Sequence, residues 1–310
     1  MKDKHLITNP NGISRQGLIM RETIARFTAE GVFGQSIKSG DFRKHMVERP
    51  WKVPEGYSME VIHGRNCKLE LLQSDIRDDS RILLQLHGGG YVGAMRNVYR
   101  KFAVRYNELG KGMDVLTVDY RVAPEHPFPA ALEDSIYAYN WLINRGWHAH
   151  EILLAGDSAG GGLAMALCHY LKKQNRELPA GLIAMSPWTD MTQSGESYEK
   201  NYHLDPNFGN SSNTLINNKE YIGGNDPKNP FLSPAFGDFS GFPPMLIQVG
   251  SYEMLLSDSE IVAKKAKEAG VKVRLSIYEG MFHVFQMALH GLPESKKAWA
   301  EVGHFLDIIK

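Results

Sequence analysis

Residues 156–160 read Gly-Asp-Ser-Ala-Gly, a serine with one glycine two positions before it and another two positions after it. The pentapeptide follows the apolar run Ile152-Leu153-Leu154-Ala155 and leads into a stretch whose apolar residues recur at helical spacing. Ser158 therefore falls on a strand-turn-helix junction, and a side chain held out on so tight a turn tolerates only small neighbours. The same pattern also suits a glycine turn with a capping serine, so serine chemistry needs further parts. A serine hydroxyl is a weak nucleophile at neutral pH. It needs an imidazole to take its proton, a carboxylate to fix that imidazole, and donors for the oxyanion that acyl transfer creates.

A glycine run supplies candidate donors. His87-Gly88-Gly89-Gly90 follows the apolar segment 81–86, and three successive glycines carry a backbone-entropy cost that wants a reason. Gly88 and Gly89 are expected to offer their amides, joined by that of Ala159, which opens a helix where negative charge is favoured. Of twelve histidines, His283 in the segment YEGMFHVF follows the last strand and shares the carboxyl edge of the sheet with Ser158 and the glycine run. Ligands of open α/β sheets bind at that edge. His148 and His150 precede a strand, while His169 and His304 fall within helices. The acid is expected after the strand at 245–250, where VGSYEMLLSD offers two carboxylates. Glu253 sits just beyond the strand end; Asp258 reads equally well as a helix N-cap and is the alternative acid.

The elements that must hold these residues follow from periodicity. Strands are expected at 58–63, 67–73, 81–87, 114–120, 151–156, 181–186, 245–250 and 272–278, with helices between most of them, the pattern of an α/β protein with a mainly parallel sheet. Continuous apolar runs such as ILLQL suit central strands, and EVIHGRNCKLELL suits an antiparallel edge pair. Pro293 opens a final helix whose Trp299, Val302, Phe305, Leu306 and Ile309 form one stripe, and Ser257–Ala269 reads as a helix stopped by Gly270. Two regions break the alternation. One is residues 1–50, with an amphipathic segment from Ser14 to Glu30 carrying Met20, Ile24 and Phe27; the other is Thr189 to Phe242, with a helical piece expected near Ser212–Tyr221. Intervals this long are commonly lids, and the two together read as a cap.

HGGGYVG at 87–93, DYRVAPEHPFPAALED at 119–134, GDSAGGGLA at 156–164 and the GMFHVF segment resemble the hormone-sensitive-lipase-like α/β-hydrolases, also called bacterial family IV esterases. The resemblance implies an α/β-hydrolase fold with an eight-stranded, mostly parallel sheet, a catalytic core at 51–190 and 241–310, and a helical cap at 1–50 and 191–240. It implies hydrolysis of short-chain acyl esters through an acyl-enzyme, without cofactor or metal, by a chain acting alone or as a homodimer on a small-molecule ester. By position it makes Ser158 the nucleophile, His283 the base, and Gly88, Gly89 and Ala159 the oxyanion donors. The chain departs from the family at the acid, where Asp-Pro-Leu-x-Asp is replaced by Glu253-Met254-Leu255-Leu256-Ser257-Asp258. The family's separation of acid and histidine fits Glu253. Tyr91, Trp188, Phe208 and Phe282 are candidates for the substrate pocket, and Glu125, His126 and Asp134 are expected to brace the loop behind it. An amide, carbamate or lactone hydrolase would use the same residues, and a non-catalytic receptor is the binding-only alternative.

Composition narrows the partners. Thirty-five basic residues balance thirty-five acidic ones, which argues against nucleic acid, since neutralising phosphates needs a basic excess or stripe. The first residues, MKDKHLITNP, lack the apolar stretch of a signal peptide, and no apolar run approaches membrane-spanning length, so a cytoplasmic protein without membrane partners is expected. Cys67 and Cys168 show no metal-site or disulfide spacing.

Overall fold

The expected strands all form, in one sheet that carries a ninth. The computed structural model describes residues 4–7, 12–28, 43–44, 48–211, 214–217 and 219–309. Its strands are β1 (Lys4–Ile7), β2 (Tyr57–His63), β3 (Lys68–Ser74), β4 (Asp78–Leu86), β5 (Met113–Asp119), β6 (Ile152–Asp157), β7 (Gly181–Met185), β8 (Met245–Gly250) and β9 (Val273–Tyr278), in the order β1-β9-β8-β7-β6-β4-β5-β3-β2. Pairing is parallel except where β3 meets β2 and β5. The extra strand, β1, adds to the outer edge of β9, so residues 4–7 lie in the sheet rather than in a cap. Four residues are too few to show a period of two, which is why the sequence does not announce it.

Burial on both faces explains the unbroken apolar runs. Successive residues of the central strands point to opposite sides: Leu83, Val115, Leu153 and Ile183 enter one core, and Leu84, Leu116, Leu154 and Leu182 the other. The first core is covered by α2 (Asn97–Leu109) and α7 (Pro293–Ile308), where Trp299 meets Phe102 and Tyr106 edge-on at 4.9 and 5.1 Å. The second is covered by α3 (Ala130–Asn144), α4 (Ala159–Lys173) and α6 (Leu256–Glu268). Each fully buried leucine contributes about 1.5–3 kcal/mol of burial free energy.

Helix ends follow local chemistry. α7 starts at Pro293, whose missing N–H costs nothing in a first turn. α6 ends before Gly270, which takes φ 81°. α1 (Arg15–Thr28) covers most of the amphipathic segment, and its Met20 and Ile24 pack on a third cluster around Tyr278, Met281, Phe282 and Phe285. The Ser14 hydroxyl accepts from the Gly17 amide at 3.0 Å and donates to Glu294 at 2.8 Å, tying the start of α1 to the first turn of α7. Residues 29–42, which include part of the expected cap, lie outside the described residues, as do Ser212, Asn213 and Asn218.

Among the described residues of the stretch Ser212–Tyr221, where a helix is expected, there is one 3-10 turn, Leu215–Asn217. Asparagine side chains compete with the backbone for helix hydrogen bonds. Here Gln193 Nε2 also donates to the Ile216 carbonyl at 2.8 Å and to Asn217 Oδ1 at 3.0 Å, occupying an acceptor that a helix would use. Elsewhere in this insertion α5 (Ser197–Lys200) is a single turn. Among the described residues no helix is long and apolar enough to cross a membrane.

Register brings the chemistry to one edge. Leu86 pairs with Gly156, Asp157 with Met185, and Gly250 with Tyr278, so β4, β6, β7, β8 and β9 all end along the same rim. The residues just past those ends include His87, Ser158, Ser186, Glu253 and His283.

Candidate active site

Ser158 occupies the single residue between β6 and α4, at φ 51° and ψ −122°. A non-glycine residue at positive φ is strained by roughly 1–3 kcal/mol and persists only where its surroundings hold it. They do so here through backbone bonds: the Ser158 amide donates to Met185 at 2.9 Å, and its carbonyl accepts from Trp188 at 2.9 Å and Gly162 at 3.2 Å. The flanking glycines answer a steric need. A methyl on Gly156 would strike the Gly160 carbonyl, and one on Gly160 would strike the Leu86 carbonyl.

The structure brings Ser158, His283 and Glu253 into one hydrogen-bonded chain. His283 Nε2 lies 2.8 Å from Ser158 Oγ, and His283 Nδ1 lies 2.9 Å from Glu253 Oε2. With a neutral imidazole, the hydroxyl donates to Nε2 and Nδ1–H donates to the carboxylate. Glu253 is fully buried and its other oxygen is also committed: Oε1 accepts from the Gly250 amide at 2.5 Å and from the Ser186 hydroxyl at 2.7 Å. Ser186 in turn accepts from the Val284 amide at 3.1 Å, so one hydroxyl ties the glutamate to the residue after His283. Sequence reasoning missed Ser186, although it is the first residue past β7 on the same rim.

Asp258 is not part of this chain. Its Oδ2 accepts from the amides of Thr189 at 2.6 Å and Asp190 at 2.9 Å, which fastens α6 to the segment after β7. It lies inside α6 rather than at its N-cap, and burial pushes its carboxyl up to about 7.

Gly88 does not offer its amide as expected. That N–H donates to Asp157 Oδ1 at 3.1 Å, because the loop turns toward β6 and a side chain on Gly88 would collide with the Asp157 carboxylate. Among the described residues the amides of Gly89, Gly90 and Ala159 have no acceptor. Among the described residues the pair of glycine amides without an acceptor is thus shifted by one position along the run from the pair expected, and Ala159 is unchanged. Burial pushes Asp157 up to about 7, against the pull of His283 and the Gly88 amide. His87 is buried, stacked on Tyr120 at 4.1 Å, with Nδ1 2.7 Å from the Gly88 carbonyl; burial lowers its pKa, which keeps it neutral.

Comparison with known proteins shows the family. The family model described as the α/β-hydrolase fold matches residues 83–287. The chain is 37% identical over 254 residues to an acetyl-hydrolase of Streptomyces hygroscopicus, covering 82% of this chain and 83% of that one. It superposes on a crystal structure of an esterase from the bacterial hormone-sensitive lipase family with a TM-score of 0.81 and 33% identity, over 93% of this chain and 97% of the other. The chain belongs to the hormone-sensitive-lipase-like α/β-hydrolases. A crystal structure of EstE5 soaked with p-nitrophenyl butyrate is similar too, with a TM-score of 0.83 and 33% identity over 94% of this hydrolase and 98% of that chain.

Two residues of the insertion after β7 pack against His283 and Gly90 of this hydrolase. Phe208 sets its ring 4.6 Å from that of His283, and Leu215 packs on Gly90 so closely that a Cβ there would lie 3.0 Å from its own. Tyr91 stacks on Tyr221 at 3.7 Å and stands 6.0 Å from Trp188, all three deeply buried. Phe282, which precedes His283 in the chain, is buried in the third core cluster. The loop behind the site is braced by ion pairs: Asp134 accepts from the Arg121 amide at 2.8 Å and from its guanidinium, and Glu125 pairs with Arg43. His126 donates its amide to the Val122 carbonyl at 3.0 Å. Among the described residues no three His, Cys, Asp or Glu side chains gather to hold a metal.

Proposed function

We propose that this hydrolase cleaves carboxylic esters of short acyl chains through an acyl-enzyme on Ser158. The hydrogen-bonded chain from Ser158 through His283 to Glu253 carries the reading. In it, Ser158 Oγ attacks the ester carbonyl while its proton passes to His283 Nε2, and Glu253 stabilises the imidazolium through Nδ1–H. The oxyanion is met by the amides of Gly89, Gly90 and Ala159. Collapse breaks the carbonyl–alkoxide bond, with His283 returning the proton to the leaving oxygen. Water, deprotonated by His283, then attacks the acyl-serine, and the carboxylic acid leaves as Ser158 regains its proton.

Short chains fit because Phe208 and Leu215 crowd the rim, in an insertion that, with α1, we assign to the cap. An acetyl-hydrolase among the relatives and a p-nitrophenyl butyrate soak among the similar structures support the same substrate class. The test is a panel of p-nitrophenyl esters from acetate to decanoate. The wild type should fall steeply beyond six to eight carbons and Ser158→Ala should lose roughly 10⁴-fold or more in rate. Near-wild-type turnover by Ser158→Ala would refute the mechanism.

A further inference from the structure

Three side chains of the insertion after β7 bond to the turn that carries Glu253: Asn201, Asp205 and Ser197, whose hydroxyl donates to the Met254 carbonyl at 2.5 Å. Asn201 Nδ2 donates to the carbonyls of Ser251 at 3.1 Å and Glu253 at 2.8 Å. Asp205 is 1% exposed, and its carboxylate gathers three backbone amides. Oδ1 accepts from Asn207 at 2.7 Å and Phe208 at 3.1 Å, closing a local turn of the kind aspartate often makes. Oδ2 accepts from Met254 at 2.7 Å, and this bond is not local: it spans 49 positions and ends on the residue next to Glu253. The local turn also places Phe208, whose ring lies against His283. One carboxylate therefore fixes groups that flank two members of the Ser158–His283–Glu253 chain.

An isosteric asparagine could not do the same. It has one acceptor oxygen, so its NH₂ group would face either the Met254 amide or the amides of the local turn, donor against donor. Burial pushes the Asp205 carboxyl up to about 6, against the pull of the Met254 amide and of His283.

We infer that Asp205 is a positioning residue for ester hydrolysis, holding the Glu253 turn from the insertion side and seating Phe208 on His283; this rests on the Ser158 mechanism proposed above. Asp205 touches neither substrate nor reacting atoms. It sets where Glu253 Oε2 stands relative to His283 Nδ1, and a displacement of 1 Å in such a constellation costs roughly 100-fold in rate.

The experiment compares full-length wild type, Asp205→Asn, Asp205→Glu, Asn201→Ala and Ser158→Ala on p-nitrophenyl butyrate, with the low-field proton resonance of His283 Nδ1–H recorded for each folded protein. For Asp205→Asn, kcat should fall roughly 10- to 100-fold with KM within about twofold, and the resonance should move or broaden. Asp205→Glu should recover part of the loss, and Asn201→Ala should lose less in the same direction. A dead Ser158→Ala beside an Asp205→Asn with wild-type kcat and an unmoved resonance overturns the role of Asp205 alone. Full activity in Ser158→Ala removes the mechanism and this role together. If Asp205→Asn does not fold, Asn201→Ala decides on the same two readouts, and an unchanged kcat and resonance there overturn the proposal.

Discussion

The amide of Gly88 donates to Oδ1 of Asp157 over 3.1 Å, joining the glycine run after β4 to the turn that carries Ser158. The bond spans 69 positions of sequence and commits one amide of the run to Asp157, while among the described residues those of Gly89 and Gly90 have no acceptor. The second oxygen of Asp157 is buried and has no partner among the described residues.

Burial of that carboxyl makes stability depend on pH. Asp157 rises to about 7 in the folded chain, against roughly 3.9 for an unfolded aspartate. A carboxyl with a raised folded pKa contributes stability that is fully present below the unfolded value and is lost as pH rises through the folded one. Asp157→Asn keeps an acceptor for Gly88 and removes the titration. The melting temperature of the variant, measured relative to wild type, should therefore rise between pH 5 and pH 8, by about 2 °C or more. A difference that stays flat, or falls, across that range would count against a neutral Asp157 in the acid-side fold.

Ser186 offers a test that separates chemistry from backbone strain. It sits at φ 47° and its hydroxyl bridges Glu253 Oε1 and the Val284 amide. Ser186→Ala and Ser186→Gly lose the same bridge, but glycine accepts the left-handed backbone without penalty. Both variants should lose roughly tenfold in kcat with KM little changed, while the glycine variant melts higher than the alanine one. Wild-type kcat in either variant would show that the bridge does not hold the glutamate.

The choice of acid is settled by a pair of isosteric changes. Glu253→Gln leaves the shape and removes the charge facing His283 Nδ1, and should cost roughly 10⁴-fold in kcat. Asp258→Asn should keep kcat within about tenfold and lower the melting temperature instead, since Asp258 fastens the segment at Thr189 and Asp190. The reverse ranking of the two kcat losses would make Asp258 the acid.

Much of this arrangement was legible in the sequence because of where strands end. Ser158, His283 and Glu253 each stand within five residues of a strand terminus on one rim, and the flanking glycines, the chain order and the spacing of acid and histidine distinguish them from His87, Ser186 and the other polar groups at that rim. Gly88, Ser186 and Asp205 were not legible in the same way, since each acts through a partner 49 to 98 positions away that no local pattern records. The ninth strand and the 3-10 turn at Leu215–Asn217 escaped for a different reason. Both are short, and tertiary contacts, rather than periodicity, fix them.

Leu215 is where acyl-chain length should respond to mutation. Its side chain packs on Gly90, whose amide is one of the proposed oxyanion donors, so it stands where an acyl chain leaving the carbonyl carbon would pass. Leu215→Ala removes three carbons from that wall. Each methylene an acyl chain can then bury contributes about 0.8 kcal/mol, so the ratio of kcat/KM for p-nitrophenyl octanoate over acetate should rise about tenfold or more. The gain should come from octanoate, with acetate turnover nearly unchanged, because the Ser158–His283–Glu253 chain is not touched. Gly90→Ala should do the opposite. Its methyl would lie 3.0 Å from Leu215 Cβ at a φ of 63°, displacing the loop and lowering turnover of every ester in the panel. A Leu215→Ala profile that parallels wild type at all chain lengths would place the acyl chain away from Leu215.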